Sequence, residues 1–230
     1  MSDGLSAIRY ERKFAVDSLD FDQVLSVIKL HPAQFTMVYP PRYVNNIYLD
    51  TEGLDSYHDS VNGVMIRMKH RLRWYGEPSG SIGEPRYEIK LKRGFVGEKL
   101  SYPLKPFTLD SDLTARNILG KLAESSDRVR LKEQLRNLRP KIFNRYRRLY
   151  YLSFDRKFRL TVDHQMSYGR FPPRQRKFFG EMDKEPTVVE LKYDVDCDSE
   201  AHLITSVFPF RLTKNSKYVT GVYSAFCAVL

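Results

Sequence analysis

Between Val64 and Trp74 a cation stands at every second position: Arg67, Lys69, Arg71 and Arg73 alternate with Ile66, Met68, His70, Leu72 and Trp74. Side chains two residues apart on an extended strand share a face, so this spacing lines four positive charges along one stripe and leaves an apolar stripe behind it. Other segments sort in the same way. Glu88, Lys90 and Lys92 alternate with Tyr87, Ile89 and Leu91, and Glu190, Lys192 and Asp194 alternate with Val189, Leu191 and Tyr193. Arg159, Thr161 and Asp163 oppose Phe158, Leu160 and Val162; Arg9, Glu11 and Lys13 oppose Ile8, Tyr10, Arg12 and Phe14, with Arg12 the odd member of its apolar stripe.

Any one of these strands also fits a sheet with one solvated face. The make-up of the polar stripes argues for more, because Arg and Lys cluster where a solvated sheet mixes signs with Thr, Ser and Gln. Like charges this close repel unless water, carboxylates or a bound polyanion offsets them. If the strands close into a barrel with apolar stripes outward, the cations converge on a central channel. A phosphate chain, charged at every unit, suits such a channel: Arg grips oxygens through a planar fork and Lys acts as a point charge. Carboxylates among the cations are then available to hold a divalent ion that bridges phosphate oxygens, and oxygen donors suit Mg²⁺ or Mn²⁺.

The elements that must position these groups are short alternating segments: Ile8–Val16, Asn45–Asp50, Val64–Trp74, Arg86–Arg93, Lys99–Tyr102, Arg145–Phe154, Lys157–Asp163, Val188–Val195 and Phe208–Leu212. Helical spacing appears after Asp20, a capping residue, through Phe21, Val24, Leu25 and Ile28 to Pro32. It recurs over Leu113–Leu138 with a break near Ser125 and Ser126, and in the shorter Ser199–Ser206 and Tyr218–Val229. Tyr39–Arg42, Gly76–Pro85 and Gly169–Pro186 read as loops, the last basic through Arg170, Arg174, Arg176 and Lys177. The class expected is α+β, an antiparallel β-barrel with helices packed around it, as one domain over residues 1–230.

A net charge of +10 points to a polyanionic partner without choosing among nucleic acid, membrane surface and phosphate-rich substrate. No secretory signal or membrane-length apolar run is present, so a soluble cytoplasmic chain with no integral membrane segment is expected. Cys197 and Cys227 lack metal-ligand spacing and read as free thiols. His58, His70 and His164 form no mutually supporting pattern. Asp50 and Asp163 read as groups that fix strand ends or bond an Arg, and Trp74 and Tyr75 as packing residues beside the channel mouth. The basic loop with Phe171, Phe178 and Phe179 could stack on bases, but no nucleic-acid motif accompanies it, so no nucleic acid is expected.

In order along nearly the whole chain, the motifs resemble the VTC (vacuolar transporter chaperone) polyphosphate polymerase domain, a branch of the triphosphate tunnel metalloenzymes. Arg9-Tyr10-Glu11-Arg12-Lys13-Phe14 is similar to the family's ERK-aromatic opening, Tyr48-Leu49-Asp50-Thr51 to its YFDT segment, and Arg71-Leu72-Arg73-Trp74-Tyr75-Gly76 to its RxRWYG strand. Glu88-Ile89-Lys90 resembles the ExK strand, Tyr146-Arg147-Arg148 and Phe158–Asp163 the paired arginine strands, Glu190-Leu191-Lys192 the metal-side strand, and Lys214-Asn215-Ser216-Lys217-Tyr218 the closing KxSKY motif. The resemblance implies phosphate clamping by Arg71, Arg73, Lys90, Arg148 and Arg159. It further implies substrate contacts from Lys13, Lys69, Lys192, Lys214, Ser216 and Lys217, and Mn²⁺ or Mg²⁺ on Glu190, with Glu11 and Glu88 as further metal candidates.

Arg9 stands where the wider superfamily opens with the first Glu of ExExK, which suits the VTC branch and argues against a CYTH-type adenylate cyclase or thiamine triphosphatase. The SPX domain and membrane helices of eukaryotic VTC proteins are not in this sequence, which therefore resembles the standalone bacterial members. The function implied is metal-dependent transfer of the terminal phosphoryl group of ATP onto inorganic polyphosphate. Hydrolysis of tripolyphosphate or a nucleoside triphosphate, and passive polyphosphate binding, use the same residue types and stay open. Oligomeric state is not legible.

Overall fold

Alternating residues become the strands of one antiparallel sheet in the structure, a computed structural model that describes residues 9–94, 96–109, 114–124, 135–171 and 186–227. The strands are β1 (Arg9–Val16), β2 (Thr36–Asp50), β3 (Ile66–Tyr75), β5 (Arg86–Arg93), β6 (Val96–Pro103), β8 (Arg139–Leu152), β9 (Arg159–Arg170) and β10 (Thr187–Asp194). Their spatial order is β1-β10-β9-β8-β2-β3-β5-β6, and the two edge strands meet where Arg9 pairs with Gly97, so the sheet curls into a closed ring. A separate two-stranded ribbon joins β4 (Gly80–Ile82) to β7 (Phe107–Leu109).

The apolar stripes face outward and most of their length is covered, Ile66 and Met68 at the start of β3 being exposed. Ile47, Leu49, Leu72, Trp74, Tyr87, Ile89 and Phe143 pack against Ile118 and Leu122 of helix α3 (Ala115–Glu124). On the opposite wall Phe14, Leu149, Leu160, Val162, Val189 and Leu191 pack against Val24 and Ile28 of α1 (Phe21–Lys29) and Ala201 of α4 (Asp198–Thr205). Each large apolar side chain so covered contributes about 1.5–3 kcal/mol, which drives the outward orientation of these stripes and commits the alternate residues to the interior. Asp20 caps α1 in a reciprocal box: Gln23 N donates to Asp20 Oδ1 at 2.8 Å and Asp20 N to Gln23 Oε1 at 2.9 Å. Arg12 points outward among these apolar groups as a tether, donating to Tyr193 Oη at 2.8 Å and to Thr205 Oγ1 of α4 at 3.0 Å.

One end of the ring is covered by α5 (Lys217–Val222), whose cap is Ser216. Tyr218 donates its hydroxyl to Asp50, whose carboxylate also accepts from Ser56 N and Tyr57 N at the start of α2 (Asp55–Val61). Asp50 thus fixes a strand end as expected. Gly221 lets α5 lie directly on the sheet, because a Cβ there would collide with Ile142 Cδ1 and sit 2.7 Å from Tyr168 Cδ1. Gly221→Ala is expected to cost about 1–3 kcal/mol by overpacking, read as a lowered midpoint in urea with an unchanged slope.

Several elements differ from the sequence reading. Tyr39–Arg42 is not a loop but part of β2, where Pro40 and Pro41 fall within the register shift between Tyr39 and Arg42, which spares the ladder their missing N–H groups. Phe208–Leu212 is no strand: Phe208 and Phe210 alternate because both rings pack on Phe14. The ladder of β8 starts at Arg139 and ends at Leu152, while β9 begins at Arg159 and continues to Arg170. Gly76–Pro85 contains β4, and α2 and β7 had no periodic signal long enough to read. The predicted helix Leu113–Leu138 is observed as α3 over Ala115–Glu124; its break at Ser125–Ser126 lies outside the described residues, as do Ile8, Val229 and most of the basic loop at 172–185. Cys197 is a free thiol, and the side chain of Cys227 lies outside the described residues.

Candidate functional site

Cross-strand partners share a face, so the pairings Lys13 with Glu190, Glu11 with Lys192, Arg71 with Glu88, and Arg148 with Asp163 place these charged groups together inside the ring. They assemble around two carboxylate centres. Glu190, 5% exposed, lies 3.2 Å from Lys13 Nζ, 3.2 Å from Lys192 Nζ, 3.7 Å from Arg148 Nη2 and 3.9 Å from Lys217 Nζ. Asp163 joins this centre through a two-point bond with Arg148 at 2.5 and 2.6 Å and a 2.6 Å pair with Lys217. Glu88 anchors the other, 2.6 Å from Arg71 Nη2, 3.7 Å from Arg73 Nη1 and 3.2 Å from Lys99 Nζ.

Neutral side chains link the centres. Arg73 donates through Nε to Asn46 Oδ1 at 2.8 Å and through Nη2 to Tyr146 Oη at 2.9 Å, while Asn46 donates to Asn144 Oδ1 at 3.2 Å. The Tyr146 ring lies 4.9 Å from Lys217 Nζ and 5.2 Å from the Arg148 guanidinium carbon. Burial pushes the Tyr146 hydroxyl up, but Arg148 and Arg73 outweigh it and leave the group below its ordinary range.

Burial opposes charge on Glu190, yet Lys13, Lys192, Lys217 and Arg148 hold it well below the usual carboxylate range. Burial likewise opposes Glu88, and Arg71, Arg73 and Lys99 together outweigh it. The carboxylates therefore stay ionised and neutralise part of the cation set. Lys69 has no carboxylate partner among the described residues; its ammonium donates to Ser216 Oγ at 2.8 Å. Burial, then Lys13, Lys90, Arg67 and Lys92, lower it to about 7. Lys90, 3.2 Å from Glu11, is lowered to about 8, chiefly by burial. Cations outnumber carboxylates in this enclosure, so its field favours anions.

A polyanion beside Lys69 raises its pKa, so binding above pH 7 takes up a proton. Affinity for tripolyphosphate is therefore expected to fall from pH 7 upward, by up to about tenfold per pH unit for one coupled proton, until the pKa of the bound form is passed. Lys69→Arg stays charged throughout and should flatten the slope between pH 7 and 8 in calorimetric titrations, leaving only the titration of the ligand and of Lys90.

Glu11 and Glu190 both contact the Lys13 ammonium, at 2.8 and 3.2 Å, from adjacent strands. No trio of His, Cys, Asp or Glu in metal-holding array occurs among the described residues. Two carboxylates with no softer donor fit Mg²⁺ or Mn²⁺, which take one or two protein carboxylates and fill the remaining positions with water and phosphate oxygens. Glu88 shares no partner with this pair and belongs to the Arg71 centre.

The ring brings Lys13, Lys69, Arg71, Arg73, Lys90, Arg148, Lys192, Ser216 and Lys217 together. Arg159 and Lys214 are instead exposed and make no hydrogen bond or ion pair among the described residues; Arg159 sits at the end of β9 opposite Lys192. Tyr146, Asn46, Asn144 and Lys99 are wall residues that sequence reasoning missed. Tyr146 has the parity of Arg148, which could have found it, whereas the asparagines become legible only through pairing. His70 and His164 are both lowered to about 4, mainly by burial, and stay neutral at pH 7.

The model of the VTC domain matches residues 8–226. No curated protein matches the chain. Among solved structures, a protein from Vibrio parahaemolyticus described as a putative adenylate cyclase superposes with a TM-score of 0.54 at 12% identity, covering 93% of this chain and 97% of that one. A putative adenylate cyclase from Bacillus halodurans gives 0.52 at 13% identity over 96% and 98% of the two chains, and the PH1819 protein of Pyrococcus horikoshii 0.51 at 10% over 92% and 96%. At these identities the likeness is one of fold. No helix among the described residues is long and apolar enough to cross a membrane.

Proposed function

Because this chain belongs to the VTC domain family, we propose that it transfers the terminal phosphoryl group of ATP to inorganic polyphosphate inside the ring, releasing ADP in the cytoplasm. The observation that carries this reading is the enclosure of Lys13, Arg71, Arg73, Arg148 and Lys217 on one inner surface, with counter-carboxylates too few to neutralise the cations lining it. Phosphoryl transfer asks little covalent help of a protein; it needs the two phosphate groups held in line and the charge on their oxygens offset. Arg71, Arg73 and Arg148 present planar forks for the transferring phosphate. Lys13 and Lys90 add point charges, and Lys69, Ser216 and Lys217 hold the acceptor chain beside α5. Arg159 and Lys214, exposed at the rim, draw phosphates in.

Glu190, with Glu11, would hold Mn²⁺ or Mg²⁺, a Lewis acid that offsets charge on the phosphate oxygens when bound. Lys13 then exchanges its carboxylate contacts for phosphate oxygens. The test is to incubate the purified protein with ATP and Mn²⁺ and resolve products by gel and phosphate release. Long anionic polymer with ADP is the expected result. Free phosphate without polymer would convert the reading to hydrolysis, and tight polyphosphate binding without turnover would convert it to a passive binding module.

A further inference from the structure

The inner rows of cations end in an aromatic cluster that the phosphate chemistry leaves unused. Tyr75 follows Arg71 and Arg73 on β3, and Tyr150 follows Tyr146 and Arg148 on β8, each one strand step, about 7 Å, beyond the last arginine. Register puts both on the channel face: Tyr75 pairs with Val44, which pairs with Tyr146, and Tyr150 pairs with Thr161 beside Asp163. Arg42 pairs with Arg148 and Tyr39 with Tyr150, so the same face carries them. At the other end of these rows Ile142 and Tyr168 lie under α5, so the tyrosine cluster lies at the end of the ring away from α5.

Arg42 holds the cluster together. Its guanidinium carbon lies 4.0 Å from the Tyr75 ring centre and 4.9 Å from that of Tyr150, and its Nε donates to Tyr150 Oη at 3.2 Å. It makes no ion pair among the described residues, although carboxylates claim most of the arginines deeper inside. Tyr39 stands edge-on to Tyr150 with ring centres 5.8 Å apart, and both Tyr39 and Tyr75 are open to solvent, at 58% and 38%. A planar cation flanked by exposed π faces, next to but outside a polyphosphate channel, is chemistry for a flat, electron-rich ring attached to phosphates.

We propose that Tyr39, Arg42, Tyr75 and Tyr150 form the site for the base of a nucleoside triphosphate, which enters phosphates first and leaves its base stacked at the mouth. This rests on the reading of the channel as a triphosphate site and adds to it a means of distinguishing nucleotide from bare phosphate chain. Stacking reads the face of a base and not its hydrogen-bonding edge, so purine nucleotides should be accepted with little discrimination between adenine and guanine.

Calorimetric titration of the full chain with ATP, GTP and tripolyphosphate tests it. Tyr75→Leu, which keeps the apolar bulk and removes the π face, is expected to weaken ATP and GTP by about fivefold or more and to leave tripolyphosphate within about twofold. Tyr75→Phe, which keeps the ring, should bind all three as the parent does. Equal losses for nucleotide and tripolyphosphate in Tyr75→Leu, or none for either, would overturn the base site while the channel reading stands. A parent protein that binds no tripolyphosphate would overturn the channel reading and the base site with it. Should Tyr75→Leu fail to fold, Tyr39→Leu, at a more exposed ring, carries the same two predictions.

Discussion

Glu190→Gln is expected to abolish metal-dependent turnover while preserving, or strengthening, the binding of tripolyphosphate. The amide matches the carboxylate in shape but withdraws the charge shared by Lys13, Lys192, Lys217 and Arg148, so the enclosure becomes more cationic and loses the oxygen proposed to hold the metal. Removing one partner from a buried ionic network costs about 3–5 kcal/mol, and the ligand-free variant should melt several degrees lower. Saturating tripolyphosphate should return much of that loss, because a bound polyanion replaces the missing counter-charge. Unchanged turnover would remove Glu190 from the metal role; loss of anion binding would assign it to fold maintenance instead. The pH dependence has a definite sign: Glu190 is held below its ordinary range in the folded protein, so its contribution is present above the ordinary carboxylate pKa and is lost as acid protonates it.

Arg148→Met is expected to reduce turnover by about 10²–10³-fold, and to destabilise the ring even where no substrate is present. Arg148 is the two-point partner of Asp163, which is fully buried and, among the described residues, otherwise paired only with Lys217. Methionine fills the space and leaves half of that carboxylate uncompensated, again a cost of about 3–5 kcal/mol. Arg148→Lys should recover part of the stability, since one ammonium still faces Asp163, but little of the turnover, since a point charge cannot span two oxygens in a plane. The double variant Arg148→Met with Asp163→Asn separates the two effects. Stability should rise relative to Arg148→Met alone, whereas turnover should stay low. Recovery of turnover in the double variant would show that Arg148 serves the fold only.

Glu190 is legible from the parity of its own strand, whereas Arg148 is named only through the family resemblance. Arg71 and Arg73, Glu88 and Lys90, and Glu190 and Lys192 could each be assigned to one face because the alternation of a strand is a property of its own few residues. The capping of α1 by Asp20 and the role of Asp50 at a strand end were legible for the same reason. Their physics is local, within a handful of bonds. The general anionic preference was equally legible, since summed charge needs no geometry.

Pairing across the chain decided the rest. Asp163 meets Arg148 through the β8–β9 register and Lys217 through α5, while Lys13 reaches Glu190 from the far end of the sequence. No local pattern encodes such partners, because they depend on which strands become neighbours and by how many residues they are staggered. The same dependence explains the errors. Phe208 and Phe210 alternate like a strand because Phe14 lies beneath them, and Pro40 with Pro41 mimics a loop because a register shift hides their missing donors. It also separates Glu88 from Glu190: three glutamates, Glu11 among them, each on the polar stripe of its own strand, become two centres once the ring closes, one built on Arg71 and the other on Lys13. The sequence by itself therefore determined which side chains face the interior and the sign of the charge they present. Closure of the sheet decided which of them share an oxygen, because distance across a ring is set by strand order and stagger and not by spacing along the chain.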